Sequence, residues 1–249
     1  MFTRIRPPNT LEETVESIAR VIRARLLSPG DKLPPERALA RKLGVSRSTL
    51  REGLRFLCNA GYLEIRSGRN GGTFVARWPG KPSNQEALLA SNQEQLSAQL
   101  DLRRALEPVA AELAAIRASL IDVAELEGRY YRMVGAERTF DLYRARDVRF
   151  HVGVAEIAQS PLLLQGVTDV HIALTHVLDL VAHGSEQALY HSNVEHGRIL
   201  EAIRHRQPDQ ARDFMLTHLL NTEKLIEVRI RLGDPQPHVH PSLAMRRPH

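Results

Sequence analysis

The fold of the N-terminal part of the chain is decided by residues 30–75, which read GDKLPPERALARKLGVSRSTLREGLRFLCNAGYLEIRSGRNGGTFV. In PERALARKLG, Pro35 falls in the first turn and Gly44 just beyond the last, so this segment is predicted to form a short helix. The next segment follows almost at once, with Ser46 as a candidate N-cap and leucines at helical spacing, namely Leu50, Leu54 and Leu57. Two helices joined by so tight a turn predict a helix-turn-helix, whose second helix can enter the major groove of DNA.

The second helix presents polar side chains on the face opposite its leucines. These outward residues are Arg47, Ser48, Arg51 and Arg55. Beyond the helix, YLEIRSGRNGGTFVAR alternates apolar and polar residues on either side of a glycine-rich turn. The alternation predicts a β-hairpin, and its position directly after the helix-turn-helix predicts a wing.

A further helix is predicted before this segment. Thr10 and Glu13 match a capping box. Apolar residues then follow at helical spacing: Leu11, Val15, Ile18, Ile22 and Leu26.

Composition limits the class of protein. The 249 residues, 43% hydrophobic and 25% charged, suit two modest domains. No stretch approaches the roughly 18 apolar residues of a membrane span, and MFTRIRPPN lacks the apolar core of a signal peptide, so we expect a cytoplasmic protein without membrane contact. Cys58 is the sole cysteine, which excludes an intrachain disulfide and a thiolate metal cluster.

The net charge of +5 is unevenly distributed. Residues 1–78 hold 15 Lys and Arg against 7 Asp and Glu, whereas the remainder holds 19 against 22. A basic N-terminal part on a slightly acidic body predicts contact with a polyanion, of which nucleic acid is the commonest for such a protein.

The quoted helix-turn-helix and wing resemble those of GntR-type bacterial transcription regulators over about residues 11–77. The resemblance places eight residues at DNA-contacting positions: Arg37, Ser46, Arg47, Ser48, Thr49, Arg51, Ser67 and Gly68. Their chemistry suits double-stranded DNA, because arginine can bind guanine or phosphate, hydroxyls at a helix N-terminus bind phosphate, and a glycine lets the backbone approach the minor groove.

The stretch WPGKPSNQ interrupts all periodicity, and the residues after it read almost entirely as helix. One helical stripe holds Leu96, Leu100, Leu106, Ala110, Leu113 and Ala114, and similar patterns predict helices near residues 122–137, 139–158, 161–182, 186–206 and 208–231. We therefore expect a mainly α protein, with a winged helix-turn-helix at 1–78, a linker at 79–92 and an antiparallel helical bundle at 93–232. The proline-rich tail, 233–249, is predicted to be disordered.

Within the bundle, Asp147 and His151 lie four residues apart and so on one face of a helix. They are either one corner of a metal site or a polar contact. His196 and His218 each fall on an apolar stripe and are predicted to point inward. One aspartate and three histidines meeting in a bundle core would suit zinc or nickel. Four other histidines of the bundle, His171, His176, His191 and His205, are interpreted as surface or packing residues, and for His191 a position near the effector pocket is the alternative.

The body resembles the FCD domain, the ligand-binding half of the FadR subfamily of GntR regulators, over about residues 96–231. The resemblance rests on LRRALEPVAAELAA, DVRFHVGVAEIAQSPLL and EHGRILEAIRHRQPDQARDFMLTHL, in that order. It implies that Asp147, His151, His196 and His218 are the ligands of a divalent metal ion, for which we expect zinc, with nickel as the alternative.

Arg103 falls on the apolar stripe of the first bundle helix, where a cation without a counter-charge would be costly. Glu107, one turn later, is one candidate partner. The resemblance suggests instead that Arg103 binds the carboxylate of an organic or sugar acid effector. The two interpretations are compatible if Glu107 holds the arginine in place.

The sequence thus predicts a homodimeric transcription repressor that binds a near-palindromic operator and responds to a small carboxylate bound beside a metal ion. Effector binding is expected to weaken DNA binding. The alternative is a regulator that senses the metal itself. A metal-dependent enzyme is disfavoured, because no element like HExxH places a general base beside the candidate ligands.

Overall fold

The computed structural model describes residues 10–69, 71–76, 93–136, 140–175, 177–178 and 186–232. The elements in this part of the chain are α1 (Thr10–Arg23), α2 (Glu36–Leu43), α3 (Arg47–Asn59), β1 (Leu63–Arg66), β2 (Gly72–Val75), α4 (Gln93–Arg117), α5 (Leu120–Val134), α6 (Phe140–Ile157), α7 (Pro161–Ala173), α8 (Glu186–Arg204) and α9 (Pro208–Leu232). The protein is therefore mainly helical, as the periodicity predicts.

The N-terminal elements form a winged helix-turn-helix around a small apolar core. The leucines predicted to be buried on α3 pack there with Ile22 of α1 and with Leu63 and Val75 of the hairpin. Strands β1 and β2 pair antiparallel, with Leu63 opposite Val75 and Arg66 opposite Gly72. Because β1 also packs on α3, the hairpin is held against the second helix of the motif.

The local signals at α2 and α3 act largely as predicted. Gly44 adopts φ 68° and closes α2 with a backbone N–H bonded to the carbonyl of Ala40, a conformation that costs glycine little. The Ser46 hydroxyl accepts the backbone N–H of Thr49 at 3.1 Å and caps α3. Pro35, however, precedes α2 instead of lying in its first turn.

Helices α4 to α9 form a bundle around a second apolar core. Helix α9 packs against α4 and α8, while α6 packs against α4, α5 and α7. The core is built largely from small and aliphatic side chains, with Phe150 and Tyr143 of α6 among the largest that are fully buried. Small residues such as Ala111 and Ala114 on α4 let the helices approach closely.

Two predicted helices end earlier than expected. Helix α1 ends at Arg23, so Leu26 lies in the following turn, where Arg25 adopts φ 56°. Helix α7 ends at Ala173, although Thr175, Val177 and Leu178 are again helical. The predicted linker, the C-terminal tail and residues 179–182 of the predicted helix lie outside the described residues.

Side chains of the bundle contact the segment that follows α1. Arg149 of α6 donates from Nε to the carbonyl of Leu26 at 2.9 Å and forms an ion pair with Asp31. Arg20 of α1 pairs with Asp169 of α7 at 2.6 Å. The helix that carries Asp147 and His151 thus also contacts the segment between α1 and α2 of the winged helix-turn-helix.

Candidate metal centre and DNA-binding surface

Three helices bring the predicted metal ligands together in the bundle core. Helix α6 supplies Asp147 and His151 one turn apart, α8 supplies His196 and α9 supplies His218. All four side chains are buried. The pair on α6 is therefore part of an interior cluster and not a contact on a solvated surface.

The potential ligand atoms of this cluster converge. Nε2 of His151 and Nε2 of His196 are 3.1 Å apart, and Asp147 Oδ1 lies 3.5 Å from the His196 nitrogen and 3.9 Å from the His151 nitrogen. One ligand atom from each of His151, His196 and His218 lies within 4.8 Å of the others. The structure thus assembles a buried set of donors with the spacing that a single ion requires.

Two carboxylates contact the far nitrogens of these histidines. Glu107 Oε2 lies 2.5 Å from Nδ1 of His151. Glu195 Oε2 lies 2.8 Å from Nδ1 of His218, and Glu195 Oε1 accepts a hydrogen bond from Asn221. For His218, a proton on Nδ1 would face Glu195 and leave the Nε2 lone pair for the centre, which is the common arrangement behind metal-bound histidines; the His151–Glu107 pair is close but is not aligned as a hydrogen bond.

Electrostatics favour neutral imidazoles beside an ionised carboxylate. Burial lowers the pKa of His218 to about 3 and that of His196 well below its ordinary value. Burial alone would raise the pKa of Asp147, but Arg144 and the nearby histidines bring it well below the usual range. At neutral pH His196 and His218 therefore offer neutral imidazole nitrogens, and Asp147 offers a charged carboxylate beside them.

This donor set fits a divalent transition metal. Three histidine nitrogens and one carboxylate oxygen suit zinc or nickel, with no thiolate required. Two Nε2 atoms at 3.1 Å repel each other unless a proton or a cation lies between their lone pairs. Nδ1 of His196 is buried and has no hydrogen-bond partner in the described part of the chain.

A second group, Glu107, His151 and His171, also has the spacing of metal ligands. Arg103 donates from Nε to Glu107 Oε1 at 2.6 Å, so this carboxylate already has a cation beside it. Burial would raise the pKa of Glu107, but Arg103, His151 and His171 lower it overall. We assign the first cluster as the candidate metal centre, and His171 as a buried packing residue that contacts Glu107.

A cavity of about 50 Å³ borders the cluster. Its lining includes two cationic side chains, two candidate ligands and two hydroxyl groups: Arg103, Arg144, Asp147, His218, Ser192 and Thr222. Arg103 is buried, and its Nη1 has no hydrogen-bond partner among the described residues. Glu107 is thus a partner of Arg103, as one of the two interpretations expected, but it leaves Nη1 available.

A larger depression of about 200 Å³ lies elsewhere, between α5 and α6. Its only cationic lining residue, Arg129, already pairs with Glu156 at 2.7 Å and donates to the carbonyl of Arg149 at 3.0 Å. Of these two cavities the smaller is the better candidate for an anionic ligand, because its lining includes both candidate ligands and Arg103.

The predicted DNA-contacting residues lie on the surface of the winged helix-turn-helix. Thr49 is half-buried and the others are exposed: Arg37, Ser46, Arg47, Ser48, Arg51, Ser67 and Gly68. At the start of α3, the hydroxyl oxygen of Ser46 lies 2.7 Å from that of Ser48 and 2.8 Å from that of Thr49. Arg51 forms an ion pair with Glu36 of α2 at 2.8 Å.

The tip of the wing depends on glycine. Gly68 adopts φ +102°, a region that side chains with a Cβ rarely enter. Ser67 and Gly68 are both exposed at the turn between β1 and β2. At Ser67 and Gly68 the turn therefore presents backbone and a small side chain, with the exposed Arg69 beside them.

The family models agree with these two halves. Residues 10–75 match the model described as bacterial regulatory proteins, gntR family, and residues 99–221 match the FCD domain. The chain belongs to the GntR family of transcription regulators, in the subfamily with a C-terminal FCD domain. It is a DNA-binding regulator and not an enzyme.

Individual relatives cover most of the chain. The HTH-type transcriptional regulator LutR of Bacillus subtilis is 31% identical, over 80% of this chain and 93% of LutR. The galactonate operon transcriptional repressor of Escherichia coli is 28% identical, over 80% of this chain and 90% of the repressor. The solved structure of Escherichia coli McbR/YncC shares the fold, with a TM-score of 0.53 and 18% identity over 90% of this chain and 99% of that one.

Proposed function

We propose that this regulator is a homodimeric repressor of a catabolic operon that responds to a small organic or sugar acid bound beside a divalent metal ion. It would act in the cytoplasm on double-stranded operator DNA that is close to palindromic. None of the described helices is both long and apolar enough to cross a membrane. We also propose that the chain is divided into a DNA-binding domain (1–78), a linker (79–92), an effector- and metal-binding domain (93–232) and a tail (233–249).

One observation carries the proposal: a cavity in the bundle adjoins converging metal ligands and two arginines. Asp147, His151, His196 and His218 would hold the ion, with zinc preferred and nickel as the alternative. When bound, the ion would supply a positive centre for an oxygen of the acid. The protein would thus offer an acid two kinds of positive charge in one buried place.

Arg103 is the residue proposed to bind the carboxylate of the effector. Glu107 holds its Nε, so the guanidinium is already oriented before a ligand arrives. A carboxylate oxygen of the effector would then accept a hydrogen bond from the buried Nη1 of Arg103. Satisfying this donor would remove the cost of leaving a buried N–H without a hydrogen-bond acceptor.

The size of the cavity favours a small acid. A water molecule needs roughly 10 to 15 Å³ of such space, so about 50 Å³ holds only a few water molecules. An acid with few carbon atoms would fit with little movement. A longer sugar acid, such as the one for which the galactonate operon repressor is named, would require the walls to open.

On the DNA side, Arg37, Arg47 and Arg51 are the proposed arginine contacts. Arg47 has the exposed position from which a guanidinium can bind guanine or phosphate. The hydroxyls of Ser46, Ser48 and Thr49 are proposed to bind phosphate at the start of α3, and Ser67 with Gly68 to approach the minor groove. Two copies of this surface, related by a two-fold axis, would explain a near-palindromic operator.

The alternative is that the protein senses metal concentration. Operator binding distinguishes the two functions, measured on DNA that the protein itself selects from a random-sequence pool. Metal-stripped and zinc-loaded protein would each be titrated with and without small 2-hydroxy and sugar acids. We expect an acid to weaken binding about ten-fold or more in the zinc-loaded protein only, within the usual range of coupling energies.

The other outcomes have clear meanings. A large change caused by zinc alone would support the metal sensor instead. An acid that acts equally well on metal-stripped protein would remove the ion from the effector site. His196→Ala in the same titration should behave like the metal-stripped protein while still binding the operator.

A further inference from the structure

Helix α4 has an apolar face that the bundle leaves uncovered. Its inward face carries Arg103 and Glu107, whereas its outward face exposes Leu102 by 48%, Val109 by 39% and Ile116 by 52%. Ala98 and Ala105 are exposed on the same side. We refer to Ala98, Leu102, Ala105, Val109 and Ile116 as the α4 seam.

The spacing of the seam is that of a helix which packs on another helix. From residue 98 the positions advance alternately by four and three, reaching 102, 105, 109, 112 and 116, as the a and d positions of a heptad do. Only Glu112 interrupts the apolar character, and Arg212 of α9 contacts it at 3.5 Å. A scatter of isolated surface residues would not keep this register over 18 positions of one helix.

We propose that the α4 seam is the surface through which two copies of this chain associate, with the two α4 helices antiparallel across a two-fold axis. The alternation of four and three reads the same in both directions, so the seam is complementary to its own reverse. In this arrangement Ala98 faces Ile116 and Ala105 faces Val109, while Leu102 faces Glu112, whose carboxylate Arg212 contacts. A two-fold interface requires this self-complementarity.

Charge supports a second copy as the occupant. Glu94 is exposed near the start of α4 and Arg117 at its end, while the exposed Asp101 already pairs with Arg104 on the same helix. Antiparallel pairing brings the acidic start of one helix to the basic end of the other, and it also aligns the helix dipoles favourably. The same exposed acids disfavour an anionic membrane surface as the partner.

The seam lies directly behind the effector site. Leu102 of the seam and Arg103 of the cavity are consecutive, and Glu107 and Val109 lie within one turn. A ligand on Arg103 and a partner helix on Leu102 would therefore act on opposite faces of one helix. The inference takes the homodimer from the proposed function and adds its contact surface, through which occupancy of the cavity would alter the dimer.

The test is the oligomeric state of the full chain, measured by sedimentation and by light scattering after size exclusion. Leu102→Glu should raise the dissociation constant of the dimer by a factor on the order of 100, because it places two charges in a desolvated contact. Val109→Lys is a second variant with the opposite charge and should act in the same direction. The matched control is Leu162→Glu, at a leucine of α7 that is 83% exposed and should leave the dimer intact.

Zinc content and circular dichroism of each variant report whether the bundle still folds. A folded, zinc-binding monomer for both seam variants supports the proposal. A dimer that persists in both variants overturns the seam while leaving the homodimer itself standing. A wild-type chain that is monomeric at micromolar concentration overturns both the seam and the proposed homodimer.

Discussion

At the scale of single residues, the metal proposal depends on carboxylates that do not touch the converging atoms. Glu195 accepts from Nδ1 of His218 and from the side-chain amide of Asn221. Two donors fix its position, and the carboxylate in turn fixes the ring of His218 and the nitrogen that carries the proton. An ordered Nε2 lone pair lowers the entropy that an ion must remove on binding.

Glu195→Gln should therefore weaken zinc binding by about 10-fold to 100-fold, measured by competition with a chelator of known affinity. The amide keeps the shape of the side chain but loses the charge that favours a proton on Nδ1. Glu201→Gln is the control, since Glu201 lies on the same helix but contacts the exposed side chains of Arg204 and His205. Equal zinc affinity in the two variants would show that Glu195 has no part in ordering the ligands.

The sequence predicts the candidate ligands for a local reason. Asp147 and His151 share a face because they are four residues apart, and His196 and His218 each lie on an apolar stripe. The role of Glu195 depends on its contact with His218 on another helix, and that of Arg144 on its ion pair with Asp147 one turn away. The periodicity of the sequence does not indicate either contact. The position of Glu195 directly before His196 was the available signal.

At the scale of elements, α3 is the proposed reader of DNA. Its leucines fix it in the core, and the Ser46 cap defines where it begins, so Arg47 is the first residue of the helix. This is the end of a recognition helix that usually meets base edges. The cap also gathers the hydroxyls of Ser48 and Thr49 at the point where phosphate is proposed to bind.

Arg47→Ala should weaken binding to the selected operator by about 1 to 3 kcal/mol, measured by fluorescence anisotropy at fixed salt. The loss is expected because the guanidinium would no longer reach guanine or phosphate. Arg198→Ala serves as the comparison, since it removes the same charge from an exposed position on α8. Unchanged affinity for the Arg47 variant would remove this residue from the proposed contacts.

The elements themselves are largely predictable, and their ends are less so. Proline, serine and glycine mark α2 and α3, whose signals are local. Helix α1 ends before Leu26 because the chain turns at Arg25 with a positive φ, and nothing in the residue type indicates that turn. Leu26 instead offers its carbonyl to Arg149, a contact that exists only once the two halves of the chain meet.

For the whole molecule, α6 connects the candidate metal centre to the DNA-binding part. Arg149 lies between Asp147 and His151 in sequence but contacts Leu26 and Asp31, on the segment leading to α2. Residues two apart on a helix point in nearly opposite directions. One side of α6 therefore faces the metal-ligand cluster, and the other side faces the winged helix-turn-helix. If effector binding displaced α6, this contact would transmit the displacement directly to the winged helix-turn-helix.

Arg149→Ala should leave zinc binding intact and keep operator affinity within a few-fold, but reduce the effect of the acid on that affinity. The reason is that the variant loses the contacts of Arg149 with Leu26 and Asp31, through which a shift of α6 would reach the winged helix-turn-helix. Arg146→Ala is matched to it, because Arg146 is also on α6 but donates to the carbonyl of Arg132 within the bundle. A full acid response in the Arg149 variant would show that the signal passes elsewhere.

The most direct test of the central claim is the zinc content per chain, measured by plasma mass spectrometry on the full chain without a histidine tag. The wild type and the His196→Ala variant would each be stripped of metal, incubated with zinc and then separated from unbound zinc. Any zinc on the C-terminal histidines is then common to both proteins. We expect close to one equivalent more zinc per chain in the wild type than in the variant. Equal zinc content would mean that Asp147, His151, His196 and His218 form a polar packing cluster and do not hold an ion.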